Sequence, residues 1–121
     1  MDTVGFISVE SGKDLIVSFA VVDPEDATQI ESLILLRTPM YEGLLEEYER
    51  GVKVSFERYT SDEDDMLEEL RWDDQAVILK LRTQLRKYQL DLRKVDRKSL
   101  SAMCKVFKKM NHDGRVQISA V

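Results

Sequence analysis

Cysteine is almost missing from this 121-residue chain: Cys104 is the only one. An internal disulfide is therefore excluded, and a cysteine metal site has no second ligand. Histidine is equally scarce, with His112 alone. No apolar run approaches the roughly 20 residues of a membrane helix, and the first residues lack the basic-then-apolar order of a signal peptide, so a cytoplasmic protein with no membrane contact is expected. Also absent are a Gly-rich phosphate loop, a GxSxG elbow, an HExxH pair and a dinucleotide fingerprint. No cofactor and no catalytic residue is expected from such a sequence.

What remains is a charge distribution sorted by position. Residues 1–75 hold 6 Lys/Arg against 20 Asp/Glu, and residues 76–121 hold 12 against 3. The two parts are thus −14 and +9, within an overall −5. Such a split predicts either two opposed faces or halves that attract each other. The apolar content of 43 % beside 34 % charged residues is that of an ordered soluble protein. At this length one globular domain over 1–121 is expected.

Strand patterns open the chain. Phe6, Ile7 and Val9 precede Glu10-Ser11-Gly12-Lys13, and Leu15, Ile16, Val17, Phe19, Val21 and Val22 follow. This predicts a hairpin with a positive φ at Gly12. Because the second strand is apolar on both sides, a central place in the sheet with each face covered is expected. Residues 30–37 read as a third strand. Next, Thr38-Pro39 leads into Tyr41, Leu44, Leu45 and Tyr48, closed by Gly51. Cap, first-turn proline, helical spacing and glycine stop together predict an amphipathic helix over 38–50, with Glu42, Glu46, Glu47 and Glu49 on its solvated side. Val52, Val54 and Phe56 then alternate as a half-buried strand.

Residues 74–95 fit two templates. Val77, Leu79 and Leu81, then Tyr88, Leu90 and Leu92, alternate as in strands, while Ile78, Leu81, Leu85, Tyr88, Leu92 and Val95 fall at 3-4-3-4-3 helical spacing. Strands are preferred, since Met66, Leu70 and Trp72 also occupy alternate positions and Asp73-Asp74 makes a turn. Near the end, Asp96 or Ser99 caps a helix with Leu100, Met103, Phe107 and Met110 on one stripe and Lys105, Lys108 and Lys109 on another. Asn111-His112-Asp113-Gly114 stops it, and 116–121 returns as a closing strand. The expected fold class is α+β: a mainly antiparallel sheet with one amphipathic helix after the third strand and a C-terminal helix.

The one biased run is Ser61 to Glu69, where Asp62, Glu63, Asp64, Asp65, Glu68 and Glu69 place six carboxylates in nine positions. It reads either as a solvated loop or as a negative patch for a basic partner. The order of an EF-hand calcium loop is not there, so no metal is expected. Trp72 is an interface anchor or a core residue, and core is the commoner fate of a single tryptophan. The basic run from Lys80 to Lys109, with Tyr88 and Phe107, is a weak nucleic-acid signal against a pI near 4.9. His112 beside Asp113 lacks a marked nucleophile and pocket, and reads as an exposed turn residue.

The expected role is therefore non-enzymatic: a small acidic protein-binding domain that engages a basic protein partner through Asp62, Glu63, Asp64, Asp65, Glu68, Glu69 and Trp72. An immunity or inhibitor protein that covers a cationic groove is one concrete form. A homo-oligomeric structural module, such as a homodimer, and an enzyme with a site assembled from distant residues are the alternatives.

Overall fold

The computed structural model describes residues 1–121. Eight strands form one sheet: β1 (Asp2–Ser11), β2 (Leu15–Val22), β3 (Ile30–Arg37), β4 (Lys53–Phe56), β5 (Leu67–Asp73), β6 (Ile78–Thr83), β7 (Lys87–Asp91) and β8 (Gln117–Ser119). One α-helix, α1 (Arg97–Met110), lies near the C-terminus. The strand order is β4-β3-β2-β1-β7-β6-β5-β8, antiparallel except for β1 with β7 and β5 with β8. The sheet curls until β4 meets the start of β5: Val54 N donates to Asp65 O and Leu67 N to Val52 O, each at 2.9 Å, across a bridge between Lys53 and Met66, while β8 pairs farther along β5. Closure of this kind pairs an edge that would otherwise template aggregation.

Alternation decides what each strand buries. The rows Ile7-Phe19-Leu33-Phe56 and Val9-Val17-Leu35-Val54 run across four strands on the inner face. All of these but the exposed Val9 join Leu70, Trp72, Leu79, Leu81 and Leu90 in one continuous core. Helix α1 lies on this same inner side, along β1 and β2, and sinks Leu100, Met103, Val106, Phe107 and Met110 into the core. Its start follows from Asp96, whose carboxylate accepts from Ser99 N at 2.8 Å, and its end from Asn111 and the positive-φ Gly114.

Within 74–95 the strand template holds: Leu79 lies opposite both Trp72 and Leu90, a pairing that only a sheet offers. Two other expectations need correction. The 12–14 turn closes with Gly12 N donating to Asp14 O at 3.2 Å, and Gly12 needs no positive φ. The outer face of β2 is covered by no element of this chain, because α1 packs inside the curl: Ile16, Ser18 and Val22 stay half-buried and neighbouring Phe6 is exposed.

The amphipathic helix after the third strand does not form either. Residues 39–49 instead make two short 3-10 turns, Pro39–Leu44 and Glu47–Glu49, separated by extended Leu45 and Glu46. The reason is Glu42. Its Oε1 and Oε2 accept from the buried Arg37, and Oε2 also accepts from Gly51 N at 3.1 Å. A continuous helix would hold residues 42 and 51 roughly 13.5 Å apart along its axis, so this carboxylate forces the chain to double back. Thr38 gives no cap, since its hydroxyl donates to Asp14 Oδ1 at 2.6 Å.

Candidate interaction surface

Arginine and lysine divide the work of this surface. All nine arginines, Arg37, Arg50, Arg58, Arg71, Arg82, Arg86, Arg93, Arg97 and Arg115, stand in ion pairs. None of the nine lysines does. A planar guanidinium fork matches a carboxylate, while an ammonium stays hydrated, which accounts for the division.

The acidic run is consequently much less free than its composition. Asp62 pairs with Arg86, whose hydrogen bond holds that carboxyl below its usual range, and the same guanidinium lies 3.5 Å above the Tyr59 ring. Asp65 is buried and accepts from Thr83 Oγ1 at 2.7 Å and Leu85 N at 3.1 Å, pinning the turn between β6 and β7. Glu68 accepts from Arg82 at 2.6 Å. Glu69 is held by Arg71 and Arg82, which lower its carboxyl. Trp72 is buried in the core. Of the seven residues expected to bind, only Glu63 and Asp64 are exposed carboxylates without a hydrogen-bonding or ion-pair partner.

Charge sorting nevertheless survives folding in a reduced form. The carboxylates left without such a partner are Glu10, Glu25, Glu46, Glu49, Glu63 and Asp64, all in the first 75 residues. Seven of the nine lysines lie beyond residue 76, and Lys98, Lys105, Lys108 and Lys109 line the exposed side of α1. That side exposes no large apolar group.

The 39–49 segment is different. Leu44 is 86 % exposed, Tyr48 78 %, Met40 57 % and Tyr41 53 %. Four large apolar groups in nine residues thus face water, flanked by the unpaired Glu46 and Glu49. A clamp beneath holds them there. Arg37, 1 % exposed, donates to Glu42, to Met110 O at 2.6 Å and to both oxygens of Asp113 at 2.9 and 2.8 Å. Burial alone would raise the Glu42 carboxyl, but the bonds from Arg37 and Gly51 N keep it below its usual range. The Asp113 carboxyl is pushed far down by Arg37, with Arg115 assisting. Arg115 in turn pairs with the Glu47 carboxylate and donates to Glu47 O at 3.1 Å, and Arg50 donates to Leu45 O at 3.1 Å. Helical spacing places the apolar residues of this segment inside; the signal for their exposure is the pairing of Glu42 with Arg37, five residues before it.

Neither a family model, nor a curated protein, nor a solved structure matches the chain. No group of three or more His, Cys, Asp or Glu side chains converges to hold a metal. His112 is exposed in its turn, and its neighbour Asp113 is taken up by Arg37 and Arg115. An open groove of about 470 Å³ lies on β5 to β7 between Glu69, Arg71, Lys80, Arg82, Lys87 and Gln89. No helix is long and apolar enough to cross a membrane.

Proposed function

We propose that this is a non-enzymatic binding domain that engages a basic protein partner, and that the 39–49 segment is its principal contact. One observation carries the reading: Leu44 and Tyr48 project into water from a segment held by the Glu42 carboxylate and by the Glu47 carbonyl. Exposed apolar side chains on a rigid support mark interaction sites, because little conformational freedom is lost on binding. The unpaired Glu46 and Glu49 select a partner that carries lysines or arginines beside an apolar pocket. Glu63 and Asp64 serve as a secondary negative site. An inhibitor or immunity protein that seats this segment over a cationic groove is the most concrete version, in a cytoplasmic setting where Cys104 stays a thiol.

A photo-cross-linking side chain at position 44 tests the reading, since that position is solvent-exposed. The expected product is an adduct with a basic protein, lost at high salt and absent when the same group is placed at position 98 on α1. No adduct from position 44, or equal adducts from both positions, would overturn it.

A further inference from the structure

The outer face of β1 to β4 holds no charge in its interior. Its rows are Phe6-Ala20-Ser32, Ser8-Ser18-Ile34-Ser55 and Glu10-Ile16-Leu36-Lys53. In a chain with 34 % charged residues, a face built of Phe, Ile, Leu, Ala and Ser calls for a cover. Within this chain only Tyr41, Leu45 and Glu49 border it, at its edge beside Leu36 and Lys53. Phe6 is 57 % exposed, and Ile16, Ile34 and Leu36 are half-buried.

The two charges that border this face identify the cover. Glu10 ends the last row on β1 and Lys53 ends the same row on β4; both are exposed and neither has an ion-pair partner. Three strand spacings separate them, roughly 14 Å, too far to pair within one molecule. We propose that a second copy of this chain covers the face, the two sheets packing front to front about a two-fold axis parallel to the strands. That axis lays β1 of one copy over β4 of the other and reverses the last row onto itself. Glu10 then meets the partner's Lys53, and the symmetry makes the contact twice. An axis across the strands would set Glu10 above the opposite end of β1, where Asp2 stands beside Lys94, so only the parallel axis pairs Glu10 with Lys53. Near-parallel strands are also the usual arrangement of two packed sheets. Four strands by about six residues give roughly 400 Å² of projected face per copy, near the lower end of specific interfaces, so the dimer is weak and concentration-dependent. The proposal does not rest on the 39–49 segment.

Analytical ultracentrifugation of the whole chain over a concentration series tests it. Wild type is expected to show a reversible monomer–dimer equilibrium. E10K alone sets lysine against lysine at both contacts, and K53E alone sets glutamate against glutamate. Each is expected to weaken dimerisation by roughly tenfold. An equimolar mixture of E10K with K53E restores it, because the heterodimer has two opposite-sign contacts, and the double variant E10K/K53E restores it too. Ile34→Asp at the centre of the face abolishes it, with circular dichroism confirming the fold. A chain that stays monomeric throughout, single variants that dimerise like wild type, or a mixture without recovery would each overturn the proposal.

Discussion

Arg37 on β3 and Asp113 beyond α1 are joined by two parallel hydrogen bonds of 2.8 and 2.9 Å, though 76 residues separate them. With Met110 O also on Arg37, this one guanidinium ties the sheet, the helix end and the 39–49 segment together. Arg37→Ala leaves Glu42 without its cation, and Glu42 is itself buried. Urea denaturation should show a loss of about 3–5 kcal/mol. Arg37→Lys should recover only part of it, since one ammonium cannot serve two carboxylates and a carbonyl at once. A loss below about 1 kcal/mol for Arg37→Ala would mean the cluster is not a structural tie.

Acid should unfold the protein through these same carboxylates. Folding lowers the carboxyls of Asp113 by Arg37, of Asp91 by Arg93 and of Asp96 by the Ser99 amide. A carboxyl lowered by folding stabilises the native state above its unfolded value, and that stabilisation fades as pH falls through the folded value. Thermal unfolding should therefore change little between about pH 5 and 8 on their account and weaken steadily below about pH 4. Asp113→Asn should cost stability at pH 7 and flatten the acid limb. An acid limb as steep as that of wild type would contradict this.

The acidic run should separate into structural and free members. Asp65→Ala strands the Leu85 amide and leaves the Thr83 hydroxyl only its bonds with Arg86, with an expected cost of about 1–3 kcal/mol. Glu63→Gln and Asp64→Asn should each stay within about 0.5 kcal/mol of wild type. Equal effects at all three positions would show that composition, not burial, governs this run.

Much of the fold is legible from local pattern. The hairpin of β1 and β2, the strands β3 and β4, and α1 with its Asp96 cap and Asn111 stop all rest on residues near one another in sequence. Residues 74–95 are harder because both templates satisfy the local spacing; what selects strands is Leu79 between Trp72 and Leu90, a non-local fit. The 38–50 helix fails for a nearer reason, contacts only five and nine residues apart. Its cap, proline and spacing are all present, yet Glu42 is claimed by Arg37 and Gly51, and a buried ion pair outweighs the propensity of one short helix. The pairing within the acidic run is not legible locally because Arg82 and Arg86, which take up three of its six carboxylates, lie 13 to 24 residues downstream.

Exposed apolar groups on the 39–49 segment should be dispensable for folding. Leu44→Ser with Tyr48→Ser should unfold within about 0.5 kcal/mol of wild type, because neither side chain packs in the core. Phe107→Ala, in the core, should cost about 3–5 kcal/mol. A large loss for the serine pair would mean the segment is packed rather than presented.

The most direct measurement is quantitative partner capture from a native lysate at low and high salt, with wild type and Leu44→Ser/Tyr48→Ser as paired baits. The expected result is a basic protein retained by wild type at low salt, released as salt rises, lost from the serine pair and kept by Glu63→Gln/Asp64→Asn. Equal retention by the serine pair, or a partner that leaves only when Glu63 and Asp64 are neutralised, would contradict a contact centred on residues 39–49.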